Sequence, residues 1–237
     1  MSHRQARLLR RLHGRRWRDQ LGLFVCEGED LVEAALDAGF EPVEALVDAE
    51  RPALLGRLGG ADLVAPELLA EVSTLGHPPR VLAVFRHDGL PRLDLEAPPV
   101  VGLALWRVAD PGNVGTLLRA LDALGPGFLA LSAGCADPTG PKALRAAAGA
   151  TFRVPSCGFD DAPGRRVALV ARGGTPLAEL ELAERTTYVL GAERDGLPDA
   201  VLGRCDVVAT IPQSGAAESL NVAMAGTIAL YEVSRRV

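Results

Sequence analysis

Three polar, glycine-containing loops hold the residue types from which a reaction centre could be built in this 237-residue chain. The first, Asp110-Pro111-Gly112-Asn113-Val114-Gly115, opens an expected helix that carries Arg119. Pro111 and Gly112 suit a tight turn, Asn113 is a good capping residue, and Arg119 falls about one and a half turns further in. The second, Gly191-Ala192-Glu193-Arg194-Asp195-Gly196-Leu197-Pro198, follows an apolar strand; its glycines let backbone approach a ligand, and Glu193 adds a charge. The third, residues 211–221, leaves a β-branched run at Pro212 and meets an apolar helix. There Ser219 is the expected N-cap, with the backbone amides near Leu220 and Asn221 facing the loop. Taken singly, each loop has a plain explanation as a cap, a surface cation or an ordinary turn. No G-x-G-x-x-G follows the first strand of this half and no G-x-x-x-x-G-K-[ST] occurs, so neither a dinucleotide fold nor a P-loop is supported.

Those loops need a scaffold, and the apolar patterning supplies one. Short runs at residues 100–106, 128–132, 151–154, 167–171, 188–190 and 207–211 read as strands, interleaved with helical patterns at 114–124, 141–149, near Leu177 and from 219 onward. Continuous apolar strands alternating with helices predict a parallel sheet covered on both faces, and ligands in such sheets bind beyond the carboxyl ends of the strands. The first ninety residues form a smaller α/β pattern, with strands at 21–25, 43–47 and 81–85 and helical spacing over 28–38. Prolines at 91, 98 and 99 mark a linker, placing the boundary near Leu95 and dividing the chain into units 1–95 and 96–237.

Bulk properties exclude several classes. No apolar stretch reaches bilayer-spanning length, and residues 21–25 are too short for the apolar core of an export signal, so a cytoplasmic protein is expected. Cys26, Cys135, Cys157 and Cys205 are scattered without paired spacing or nearby histidines, which argues against a metal site and against a disulfide framework. The net charge of −5 is unevenly spread: seven arginines from Arg4 to Arg18 precede the first acid, Asp19, and residues 19–50 then contain acids but no Lys or Arg. A basic arm before an acidic body suits a segment that reaches phosphates; a solvated, partly frayed first helix would look the same.

Together and in this order, the three loops resemble the motifs of the SpoU/TrmH family of RNA ribose 2′-O-methyltransferases. Supporting matches are Pro141-Lys142-Ala143-Leu144-Arg145-Ala146-Ala147-Ala148-Gly149-Ala150-Thr151-Phe152-Arg153-Val154-Pro155, with Ala147 where the family usually has Ser, and Phe24-Val25-Cys26-Glu27-Gly28 at the start of a substrate-binding domain. The resemblance implies a SPOUT-type parallel sheet with a trefoil knot, which runs against the rule that chains are unknotted. It also implies S-adenosylmethionine as methyl donor, RNA as substrate with rRNA favoured over tRNA, and a homodimer with the site near its interface. By motif position, Leu190, Gly191, Ile211 and Leu220 would hold the cofactor. Asn113 and Glu193 would serve RNA and loop positioning, while Ser219 and Asn221 would shape the site and orient Arg119. Arg119 matches the arginine proposed to activate the hydroxyl; since guanidinium is effectively never deprotonated, phosphate binding and stabilisation of alkoxide charge are the expected roles. A non-catalytic RNA-binding or ribosome-assembly protein, and an unrelated small-molecule enzyme on a doubly wound sheet, are the competing readings.

Overall fold

The computed structural model describes residues 1–181, 183–215 and 219–236, which fold into two α/β layers around two sheets. The first layer contains α1 (His3–Leu12), α2 (Arg15–Leu21), β1 (Leu23–Glu27), α3 (Glu29–Asp37), β2 (Glu44–Asp48), β3 (Asp62–Val64), α4 (Pro66–Val72) and β4 (Val81–Arg86). Its four strands run in the order β1-β4-β2-β3, and β4 is antiparallel to both neighbours. Alternation along β1 divides its side chains between two faces: Phe24 and Cys26 meet Leu31, Val32 and Ala35 of α3, whereas Val25 meets Leu9 and Leu12 of α1. The arginine-rich start is therefore no frayed arm. α1 is capped by a reciprocal box between Ser2 and Gln5, and its apolar stripe Ala6, Leu9 and Leu12 is buried.

The second layer continues with β5 (Val101–Leu105), α5 (Pro111–Leu124), β6 (Gly127–Leu131), α6 (Pro141–Ala147), β7 (Ser156–Gly158), β8 (Arg165–Val170), β9 (Thr175–Pro176), β10 (Thr186–Leu190), α7 (Asp199–Leu202), β11 (Val207–Thr210) and α8 (Val222–Ser234). All seven strands are parallel, in the order β7-β6-β5-β10-β8-β11-β9. One face buries Leu103, Leu105 and Tyr188 under α5 and α8; the other buries Ala104, Phe128 and Val189 with Phe159 and Val201. Two glycines set how closely the helices approach. A Cβ at Gly115 of α5 would overlap the carbonyl oxygen of Ala143 in α6, and one at Gly226 of α8 would overlap Leu117 of α5.

Two expectations need correction here. Residues 151–154 are not a strand: Ala148 and Gly149 turn through left-handed conformations, φ 48° and 87°, so Ala150–Phe152 forms a 3-10 turn and the pairing strand is Ser156–Gly158. The helix expected from 219 begins at Val222. No described helix is long and apolar enough to cross a membrane.

The two layers are joined by buried polar contacts. Arg18, only 4% exposed, pairs with Asp137 at 2.7 Å and donates to the carbonyls of Leu12 and His13, so it is structural. Leu144 of α6 and Phe152 complete the apolar core of the first layer. Ala147, standing where a serine was expected, is fully buried against α5.

Candidate active site

The site forms where β10, β8 and β11 end side by side, because the strand order sets β8 between the two whose loops were singled out. Asp110, not Asn113, caps α5: its Oδ1 accepts from Asn113 N at 3.0 Å, and its Oδ2 takes Lys142 Nζ at 2.8 Å. The Asn113 side chain is thereby released toward the loops. Asn221, not Ser219, caps α8, its Oδ1 accepting from Ala223 N at 2.8 Å and Met224 N at 3.3 Å. With Oδ1 so engaged, Asn221 Nδ2 donates to Asn113 Oδ1 at 3.1 Å, and Asn113 Nδ2 donates to Glu193 Oε1 at 2.9 Å. The cap thus orients both amides, and a directed chain of hydrogen bonds runs from Asn221 through Asn113 to Glu193.

Glu193 also accepts from Ala109 N and Asp110 N, at 3.4 and 3.3 Å. Partial burial works to raise its pKa, but the Asn113 and backbone hydrogen bonds outweigh that and hold it below the usual carboxylate range. Asp110 is likewise held low, chiefly by Lys142. Burial pushes the thiols the other way, Cys157 up to about 11 and Cys205 upward, so neither offers a thiolate nucleophile at neutral pH.

Behind this chain lies a cavity of about 360 Å³. Leu190, Gly191, Ile211 and Leu220 all line it, with Ser219 and Asn221 at its edge. The loop after β10 is folded tightly on itself: Ala192 and Gly196 exchange backbone hydrogen bonds, and a Cβ at Gly191 would overlap the Gly196 backbone. Leu169, Val170 and Ala171, at the end of β8, form a wall that sequence reasoning did not assign. Gln213 also lines the cavity, and its buried Oε1 has no hydrogen-bond partner among the described residues.

Asn113, Glu193 and Asn221 are therefore brought together. Ser219 is exposed, lies outside any helix or strand and is not the cap of α8, and the neighbouring residues 216–218 fall outside the described part of the loop. Arg119 stands apart, exposed on α5 and with no hydrogen bond or ion pair among the described residues. The expectation that Ser219 and Asn221 orient it is not met within one chain. Asp110 and Lys142 both lie inside the motif segments, and an aspartate directly before a proline is a cap signature that marks Asp110 in the sequence.

Comparison with known proteins adds an independent finding. Residues 101–231 match the SpoU rRNA Methylase family, and residues 4–83 match the MRM3-like substrate binding domain. The 23S rRNA (uridine(2479)-2′-O)-methyltransferase of Streptomyces viridochromogenes is 32% identical over 95% of this chain and 87% of its own length. The 23S rRNA (guanosine(2553)-2′-O)-methyltransferase RlmP of Bacillus subtilis is also 32% identical, over 94% of this chain and 93% of its own. The crystal structure of the SpoU methyltransferase AviRb from Streptomyces viridochromogenes, in complex with AdoMet, superposes with a TM-score of 0.86 at 27% identity, covering 100% of this chain and 98% of that one.

Proposed function

The chain belongs to the SpoU rRNA methylase family, and from that premise we infer that it transfers a methyl group from S-adenosylmethionine to a ribose 2′-hydroxyl of ribosomal RNA. The observation that carries this reading is the cavity at the ends of β10, β8 and β11 with the Asn221–Asn113–Glu193 chain at its mouth. Its size suits a small molecule, and Gln213 Oε1, without a partner among the described residues, is an acceptor for a donor on the bound cofactor. S-adenosylmethionine supplies a methyl already activated on a sulfonium. The protein's part is alignment: Leu190, Gly191, Ile211 and Leu220 hold the adenosine moiety through apolar contact and backbone groups, as the loop's tight folding permits. Asn113 and Glu193 position the RNA and the loop that carries them, Ser219 and Asn221 shape the site, and Arg119 holds a phosphate and stabilises charge developing on the 2′-oxygen.

We take residues 1–95 as the unit that meets the RNA and 96–237 as the catalytic unit, with the loops around the cavity forming a trefoil knot. A homodimer completes the arrangement. Met224, Ile228 and Tyr231 stand exposed in one stripe along α8, Met224 at 62% and Tyr231 at 58%, a face that a second copy would cover. Arg119, exposed and with no hydrogen bond or ion pair among the described residues, is then available to the partner. The setting is cytoplasmic, where unpaired cysteines stay reduced.

The test is calorimetry with S-adenosylmethionine together with mapping of 2′-O-methyl groups on unmodified 23S rRNA incubated with the protein. One new methylated ribose is expected, and Arg119→Ala should abolish it while leaving the melting transition in place. Absence of both binding and transfer would overturn the reading.

A further inference from the structure

Beside the cofactor cavity, and sharing Ala192, Glu193, Arg194 and Gly196 with it, lies an open groove of about 660 Å³ lined also by Trp106, Arg107 and Gly134. Arg107 is unusual there. Its φ is 54°, a left-handed conformation that penalises any residue with a Cβ, yet its side chain is exposed and makes no hydrogen bond among the described residues. Its backbone N–H donates to Ser132 Oγ at 2.9 Å, and its side chain passes over Gly134, where a Cβ would sit 3.5 Å from Arg107 Cγ and Nε. One residue further along that loop, the Cys135 carbonyl accepts from Arg15 Nη1 at 2.8 Å. The 132–135 loop therefore lies between Arg107 and the start of α2. There Arg11 stacks 4.2 Å from the Trp17 ring centroid, with Arg16 5.9 Å away.

We propose that Arg194, Arg107, Arg16 and the Arg11–Trp17 stack form one track for the RNA strand, running from the mouth of the methylation site across the 132–135 loop to α2. Among the described residues, none of Arg11, Arg16, Arg107 and Arg194 has a carboxylate within ion-pairing distance; the acids of the groove are Asp110, which pairs with Lys142, Glu193, which accepts from Asn113 and two backbone amides, and Asp195, while Asp19 lies 3.6 Å from Arg15. A run of guanidiniums with no ion pair among the described residues, with half-buried Trp106 and Trp17 beside it, suits a ligand that repeats phosphates and presents unstacked bases, which is single-stranded RNA. A strained, exposed arginine whose side chain makes no hydrogen bond or ion pair among the described residues fits a residue retained for a ligand. The inference rests on the methyltransferase reading: it specifies the path of the substrate through that site.

The test uses Arg107→Gly, which removes the charge and suits the left-handed backbone, Arg16→Ala, and the two combined. Arg204→Ala is the control, since Arg204 pairs with Asp160 at the opposite end of the sheet, before β11. Affinity for an unmodified 23S rRNA transcript is measured from low to moderate KCl, alongside calorimetry with S-adenosylmethionine. Each track substitution should weaken RNA binding several-fold and lower the slope of log affinity against log salt by roughly 0.7 to 0.9 per lost phosphate contact. The control and all S-adenosylmethionine affinities should stay at the wild-type value. A double variant that keeps wild-type RNA affinity and slope, while the wild type still binds S-adenosylmethionine and methylates the transcript, overturns the track alone. A wild type that transfers no methyl overturns the reading beneath it as well.

Discussion

The Asn221 side chain does two things at once, capping α8 and donating to Asn113, so its loss should be felt in stability and in turnover. Asn221→Ala should cost about 1 kcal/mol in a urea melt, the usual worth of an N-cap, and should lower methyl transfer further than that loss of stability accounts for. Glu193 gives a pH signature. Because its folded pKa is depressed, it contributes stability above the ordinary carboxylate value of about 4.3, and that contribution is lost as pH falls through the lower folded value. The melting-temperature gap between wild type and Glu193→Gln should therefore persist from pH 8 to pH 5 and close below; a constant gap would contradict the assignment. The residue types of this site were legible because the motifs name them. Their roles were less so. Asp110 precedes a proline at the first helical position, which is itself a cap signature, yet Asn113 drew the assignment. Both Ser219 and Asn221 are capping types, and only the position of α8 against α5 decides between them.

Between elements, the site depends on α5 being clasped from two sides. Gly115→Ala would set a methyl against the backbone carbonyl of Ala143, which cannot rotate away, whereas Gly226→Ala meets the end of the Leu117 side chain, which can. We expect overpacking costs of about 1–3 kcal/mol, with Gly115→Ala the worse of the two in denaturant melts. Equal effects would show that side-chain repacking does not relieve the α5–α8 contact. Most of the large sheet was readable as apolar runs, because strands buried on both faces carry little else. The run at 151–154 misled for the same reason: Thr151, Phe152 and Val154 have strand composition and are buried, but the left-handed pair before them turns the chain first. β8's place between β10 and β11 could not be read at all, since strand order is a tertiary fact. With it went the wall at Leu169 to Ala171.

At the scale of the whole molecule, Arg18 ties the layers through a pair with Asp137 that is nearly excluded from water. Arg18→Leu leaves that carboxylate without its partner and should cost about 3–5 kcal/mol, while the double replacement Arg18→Leu with Asp137→Leu should recover much of the loss. Denaturant melts of the three proteins decide it. Sequence reading counted Arg18 among a phosphate-seeking arm because charge pattern does not reveal which cation turns inward. The order of the large sheet has a further consequence, one of timing. Thr186 of β10 pairs with Val101 of β5, and the chain between them must be made before the two can meet. During synthesis β5, β6 and β7 must wait with an open edge, and such long-range parallel pairing is slow even in a complete chain. The cavity closes only after residues 211–234 follow. A nascent chain on the ribosome therefore carries no methyl-transfer site until the residues of α8 have been translated.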